Sequence, residues 1–504
     1  MYGTIDRQKL EYPGHYTISK VYLVSYRMGP TLSPLRIDIT HLLAEINIFE
    51  SLESKTLTGN IVVSDAQAIP IHLPLTGFER VEFKVFTPGC SRGYDFTSKT
   101  GHPMHIFSIT KRQEITARSQ AYVLEFCSKE LITNEQTRVS KPFKGATERH
   151  IFDIVRNTLN SKKPLFLEET KSNHQFVIPR VRPLKAIEML SSSAFSKKHN
   201  TSGMKFYETA NGFHLRSYEN LLAITSEMAR PVVAKFVVKV ANMKDDEDIV
   251  SKMQQVMGYS IDKQFDTLQN YRSGVYCSRM VTHDMFNKTF SELDFNYQDE
   301  YVKSHHIEHD GEGGKQEDKS IAPRLNFGDN KYVSDFPEGR LMFHSTTEKT
   351  FNNFEGPDSE INVPRKISYQ EAFNSQQLTL EVPGFTGLSV GDLIAFDVPP
   401  YEPANKSNPA DRDPHMSGRY LVKNVRHIIS FSPENLRHKT VLECIKDSTM
   451  KMYPQEIFDT FSSEEVDDSK TTVLQYELDE AQIDVADKVR PTADRTAILK
   501  KGQR

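Results

Sequence analysis

Three histidines, His305, His306 and His309, stand close enough in the chain to offer imidazole nitrogens to one metal ion. A zinc site of that kind takes its remaining ligands from cysteines or carboxylates at set spacings, and none stands at such a spacing here. The three adjoin EHDGEGGKQEDK (Glu308–Lys319), so a solvated loop is the expectation. His102 and His105 form an i, i+3 pair, but Pro103 lies between them and the surrounding pattern assigns them to a strand edge. GEGGK (Gly311–Lys315) lacks the preceding strand, the glycine spacing and the hydroxyl of a phosphate loop. Asn408, Asp411 and Asp413 could face calcium, yet the glycine and closing glutamate of a calcium loop are missing, and a polar turn is expected. No serine is expected on a strand-to-helix elbow, and no carboxylate pair is singled out for glycoside cleavage. The cysteines, Cys90, Cys127, Cys277 and Cys444, lie far apart and read as reduced thiols in or near cores. The expectation is a chain with no cofactor, no metal and no catalysis of its own.

The elements that would position such groups are mostly strands. A chain of 504 residues exceeds one hydrophobic core and implies about three to four domains. Its 38% hydrophobic and 26% charged residues are ordinary for a globular protein, and a net charge of -4 gives no global signal for nucleic acid or anionic membrane. The first residues, MYGTIDRQKLEYPGHY, lack the apolar core of a secretion signal, and no stretch matches the roughly 18 to 20 apolar residues of a membrane helix. Synthesis in a cytoplasm without export is expected.

Up to about residue 145 the dominant period is two. Leu35, Ile37, Ile39, Ile46 and Ile48 alternate with Arg36, Asp38, Glu45 and Asn47, as on half-buried strands. Further strands are predicted at Asn60–Val63, Val81–Phe86, Pro103–Ile109 and Gln120–Phe126, close enough for a barrel or sandwich. From Thr147 the period becomes helical through Ile151, Val155 and Leu159, and a second helix opens at Pro183. Met204–Thr209 and Phe213–Ser217 flank Ala210-Asn211-Gly212, where Asn-Gly supplies the positive φ of a hairpin turn. Strands return at Tyr259–Asp266 and Gly274–Asp284, then at Leu378–Val382, Asp392–Val398, Tyr420–Ile429 and Thr440–Ile445, with a helix near Tyr369–Phe373. After Tyr453 the chain is acid-rich as far as Asp487 and basic from Lys488, the pattern of an extended tail.

Ordered motifs give these elements a relative. ITHLLAEINIFESLESKTLTGNIVVSDA (Ile39–Ala66) followed by IPIHLPLTGFERVEFKVFTPG resembles the first tube domain of the central baseplate hub protein of contractile-tailed, T4-like bacteriophages. The signature positions are Glu50, Leu57, Thr58, Gly59, Gly77 and Glu79. The likeness continues through KPFKGATERHIFDIV and MKFYETANGFHLRS to GFTGLSVGDLIAFDVP, with Gly391 and Asp392, and SGRYLVKNVRHIISF, with Ser417, Gly418, Arg419 and Tyr420. That last pair also resembles the second barrel of VgrG-type spike proteins.

The resemblance implies a mainly β, multidomain chain with two tube-like β-barrel domains and smaller α+β parts. The first barrel would span 1–145, an α+β domain 146–258, the second barrel 259–298 with 376–453, an inserted segment and small domain 299–375, and a charged tail 454–504. It further implies a structural homotrimer in the virion baseplate, assembled in the host cytoplasm. Three chains would form a pseudo-hexameric ring joining the six-fold tail tube to the three-fold spike. Implied partners are the chain itself, the spike or needle protein, tail tube or tube-initiator proteins, the tape-measure protein and baseplate wedge proteins. No membrane is implied, and DNA only in transit through the lumen. Two alternatives are a hub of a type VI or other contractile injection system and a cell-wall-degrading tail enzyme. In the hub reading the opening ribbon, Ile39–Ala66, is expected to pair between subunits, since unpaired edges are a hazard to a monomer.

Overall fold

The computed structural model describes residues 10–28, 34–73, 75–99, 101–171, 173–223, 230–239, 248–285, 287–301, 304–308, 333–345, 359–400, 412–413, 415–431 and 437–448. His309, the GEGGK stretch, Asn408, Asp411 and the tail beyond Tyr453 lie outside them. By its contacts the chain divides into residues 1–322 with 334–450, described below, and residues 323–333 with 451–504.

The fold is mainly β with α+β parts, and one 13-stranded sheet runs through it. Its path is Gly258–Lys263, Gln376–Pro383, His438–Lys446, Gly418–Ser430, Leu43–Ser51, Thr58–Asp65, Ser119–Cys127, Met104–Thr116, Arg80–Glu82, Tyr22–Met28 and Pro34–Asp38. Leu393–Asp397 pairs with Gly418–Ser430 and carries Ala234–Val237 on its other side. Alternation locates these strands. In Leu43–Ser51, Ile46 and Ile48 are fully buried, but Asn47 between them is also only 2% exposed, so this mid-sheet strand is covered on both faces and the expected half-buried alternation does not hold there.

The opening ribbon does not pair between subunits. Leu43–Ser51 lies in mid-sheet, with Thr58–Asp65 on one side (Ile46 opposite Ile61) and Gly418–Ser430 on the other (Ile46 opposite Ile429, Ile48 opposite His427). Its second edge is therefore closed by the chain's own C-terminal strands, about 380 positions away. Period-two alternation names the buried face of a strand but not its neighbour.

Two large cores lie along this sheet. One gathers Ile46, Ile61, Val81, Phe83, Leu124 and Phe126; the other gathers Leu380, Phe396, Val422, Val425 and Leu442. A third core belongs to the α+β part, where the Thr147–Asp153 and Pro183–Ser193 helices place Ile151 and Ile187 against Phe206 and Phe213 of the Lys205–Thr209/Gly212–Arg216 hairpin. Cys277–Asp284 and Thr289–Asn296 form a hairpin that pairs with Leu341–Ser345 in a sheet of its own, apart from strands 376–446. After Lys263 the chain turns into a helix, Thr267–Ser273, capped by Asp266 on the Gln269 N–H and stopped by Gly274 in the left-handed region.

Candidate functional site

The signature positions converge on buried polar nodes that tie together segments far apart in the chain. Glu50, near the end of Leu43–Ser51, is 2% exposed. Its carboxylate accepts the Tyr94 hydroxyl at 2.9 Å, the Ala210 N–H at 3.0 Å, the Ser389 hydroxyl at 2.8 Å and the Val390 N–H at 3.2 Å. Four donors suit an ionised carboxylate, although burial pushes its pKa above the ordinary range. One residue of the first ribbon thus holds the turn at Ala210, the short strand carrying Tyr94 and the loop at 389–390. Asp392 sits beside this node, paired with Arg92 at 3.0 Å and accepting the Ser389 N–H; burial pushes its pKa up too. Gly391 lies between, in the left-handed region.

The stretch Gly387-Leu388-Ser389-Val390-Gly391 has the G-x-S-x-G spelling of a nucleophile elbow, which the sequence reading passed over. The context is wrong for one. The strand Leu393–Asp397 follows where a helix would have to start, and the buried Ser389 hydroxyl is spent on Glu50.

A second node holds Leu57. Its N–H and the Ser128 hydroxyl donate to Glu208, each at 2.8 Å, and Glu208 shares the buried Lys163 ammonium with Glu130, which lies 2.9 Å from it. The two carboxylates hold Lys163 protonated and raise its pKa against the opposing effect of burial. Gly59, in the same turn-and-strand unit, has room for no side chain, because a Cβ would collide with the Asn47 carbonyl and the Phe126 ring. Thr58 pairs with Cys127. Glu79 curls back to accept the N–H groups of Thr76, Gly77 and Phe78, closing the turn that Gly77 makes with φ of 87°.

The third node surrounds Ser417-Gly418-Arg419-Tyr420. Glu308 accepts the Arg419 N–H at 2.6 Å and pairs with the buried Lys446 at 2.8 Å, and Lys446 also donates to the Ser417 carbonyl at 3.0 Å. Gly418 has φ of 127°, and a Cβ there would fall on the Glu308 carboxylate. The Tyr420 hydroxyl donates to the Met416 carbonyl, and Lys446 stands over its ring. Next to this node the solvated-loop expectation fails for His306. It is fully buried, 2.7 Å from the buried Asp447, which also accepts the Ile307 N–H. Burial alone would raise the Asp447 pKa, but the His306 contact and the donors bring it below the ordinary value. His305 is half-buried, its carbonyl accepting the Tyr369 hydroxyl. His105 sits within the sheet rather than at an edge, between Arg80 and Cys127, and burial pushes its pKa down to about 4.

Sequence reasoning missed Glu208, Lys163, Glu308, Lys446 and Asp447. Glu208 and Lys446 carried a signal, a charge directly after apolar residues in Phe206-Tyr207-Glu208 and Cys444-Ile445-Lys446, whereas Lys163, Glu308 and Asp447 stand in polar stretches that carry none. Among the described residues no group of three or more His, Cys, Asp or Glu side chains could hold a metal ion, and no helix is long and apolar enough to cross a membrane. An open cavity of about 300 Å³ near Lys198, Arg216, Arg230 and Asp392 presents cations, while its carboxylate is already paired with Arg92. The nodes are suited to fixing segments, not to moving protons to a ligand.

No protein-family model matches the chain. A probable baseplate hub protein, gp334, of Vibrio phage KVP40 is 20% identical over 453 residues, covering 87% of this chain and 96% of that protein. The chain is thus similar to a probable phage baseplate hub protein over nearly the whole length of both. Among solved structures, a tail protein from Neisseria meningitidis MC58 aligns with a TM-score of 0.49 at 11% identity, over 86% of this chain and 97% of that one. The 43 kDa tail protein of prophage MuSo2 from Shewanella oneidensis aligns with a TM-score of 0.46 at 9% identity, over 85% and 98%.

Proposed function

We propose that this chain is the central hub of a contractile-tail baseplate, a homotrimer whose pseudo-hexameric ring adapts the six-fold tail tube to the three-fold spike. The observation that carries the reading is an internal repeat. Strands Leu43–Ser51, Thr58–Asp65, Arg80–Glu82, Met104–Thr116 and Ser119–Cys127 lie side by side in the order first, second, fifth, fourth, third. Strands Gly258–Lys263, Gln376–Pro383, Leu393–Asp397, Gly418–Ser430 and His438–Lys446 lie in that same order, and every pairing in both sets is antiparallel. A chain that carries one pattern twice offers six similar units in three copies. Closed symmetry can then meet a six-fold partner on one face and a three-fold partner on the other.

In this role the chain binds itself, the spike or needle protein, and tube or tube-initiator proteins, and catalyses nothing. The signature residues act as staples: Glu50 and Asp392 join the two repeats, Glu79 with Gly77 closes a turn, and Ser417–Tyr420 seats Glu308. Electron microscopy of the full chain produced together with its spike protein tests the role. A ring with six similar lobes around a threefold spike is expected; a particle with no ring would overturn it.

A further inference from the structure

The open cavity of about 300 Å³ beside Asp392 is lined by three cations, Lys198, Arg216 and Arg230, and by that one carboxylate. Asp392 is already paired with a fourth cation, Arg92, at 3.0 Å. Glu168, which holds the residue after Arg216, is spent on the Ser217 N–H at 2.8 Å and on the Ser196 and Ser217 hydroxyls.

The sequence of the hairpin adds to this imbalance. Lys205 stands directly opposite Arg216 across the Lys205–Thr209/Gly212–Arg216 pair, and both are half-buried. Like charges opposed across a ladder weaken a hairpin. Among the described residues neither forms an ion pair with a carboxylate, and Glu53 and Glu371 act on Lys205 only from beyond ion-pair distance. His214 lies two positions before Arg216 and therefore on the same face of its strand. It is buried, with Nδ1 unpartnered among the described residues. Burial, and then the charges of Arg216, Arg230 and Arg92, push its pKa down to about 3. The hairpin thus turns a positive field toward the cavity.

The arginines are held in place before any ligand arrives. Arg230 donates its N–H to the Leu222 carbonyl at 2.7 Å and its guanidinium to the Gly391 carbonyl at 3.2 Å. Arg216 reaches the Asn220 side-chain oxygen at 3.4 Å. A guanidinium carries five N–H donors, so that contact leaves Arg216 with donors for a ligand. Groups fixed in advance bind at less cost in conformational freedom.

We propose that this cavity binds a polyvalent oxyanion, a phosphate or a compact polycarboxylate, with Arg216 as its main donor and Lys198 and Arg230 supplying further positive charge. The planar guanidinium matches two oxygens of such a group at once. Several cations around one space favour an anion of more than one charge over acetate or chloride. The volume lies at the low end for ligand pockets, which suits a small anion. The bound anion bridges the loop at Lys198, the hairpin, and the segment after Arg230, where the Val233 N–H is held by the Leu393 carbonyl at 2.7 Å. The inference stands apart from the hub role, because all of these residues belong to one chain.

The test is calorimetric titration of the full chain at low ionic strength with inorganic phosphate, citrate and acetate in turn. One saturable site per chain is expected for phosphate or citrate, the tighter of the two naming the source, and none for acetate over the same range. Added salt is expected to weaken the binding. Arg216→Gln is expected to raise Kd about tenfold or more, the effect of one lost charge-assisted hydrogen bond. Arg216→Lys keeps the charge and is expected to recover part of that loss, while Arg118→Gln, at an exposed position of another hairpin, leaves Kd unchanged. Without anion, Arg216→Gln relieves the opposition to Lys205 and is expected to melt no lower than wild type; with phosphate, only wild type gains melting temperature. A lower melting temperature without anion would give Arg216 a structural role and overturn its assignment. Failure of wild type to saturate with phosphate and citrate, or equal binding by Arg216→Gln, would overturn the site.

Discussion

Replacing Glu50 by Gln is the smallest change that strains the node joining the two repeats. One carboxylate oxygen accepts Tyr94 Oη and Ala210 N; the other accepts Ser389 Oγ and Val390 N. Gln keeps the shape but turns one oxygen into an NH₂ group. The hydroxyls can rotate and accept from it, but whichever oxygen is replaced, one backbone N–H is left facing a donor. A buried N–H without an acceptor costs about 1–3 kcal/mol, so Glu50→Gln is expected to lower unfolding stability by that amount. Glu50→Ala strands all four donors and leaves a cavity, for about 4 kcal/mol or more. The chain has no tryptophan, so urea unfolding is best followed by far-UV circular dichroism. A Gln variant within about 0.5 kcal/mol of wild type would refute the reasoning, since surface substitutions fall in that range.

Gly418→Ala places a methyl group on the Glu308 carboxylate at φ of 127° and is expected to cost about 2–4 kcal/mol in the same assay. Lys163→Met leaves Glu130 and Glu208 buried without their cation; a loss of about 3–5 kcal/mol at pH 7 is expected, and a smaller loss near pH 4.5, where the carboxylates take up protons. His427 and His438 touch at 3.0 Å inside the sheet beside Tyr94, and burial pushes His427 down to about 4 and His438 down as well. A histidine whose folded pKa is depressed gives stability that is present above about pH 6.5 and lost as pH falls through 4, about 2 kcal/mol of it from His427 by pH 5. Glu50 and Glu219, both raised by burial and Glu219 to about 8, act in the opposite sense. The measurement is therefore the difference between wild type and His427→Gln, whose melting temperatures should converge as pH drops from 7 to 5.

Much of the strand pattern was legible because it is local. Alternation at Tyr420–Ile429 and Thr440–Ile445 and the Pro183 helix signal match the elements observed. Partnership is not local. The sequence of Leu43–Ser51 shows a buried face, yet the neighbour that closes its edge lies at the far end of the chain. Buried charge was invisible for a related reason. Glu208 and Lys446 resemble outward-facing strand residues until a second layer covers them, and a histidine such as His306 resembles a loop residue until Asp447, just past the last strand, meets it. The Thr267–Ser273 helix was missed because Asp266 reads equally well as the end of a strand. The sequence did not show why glycine stands at 59 and 418: in the fold both sit at close approaches that any side chain would block.

The mass of the purified full chain in solution, alone and produced together with its spike protein, tests the hub role most directly. A particle of three chains of 57.7 kDa each, formed alone or only with the spike, is the predicted result. A stable particle of a single 57.7 kDa chain under both conditions would contradict it.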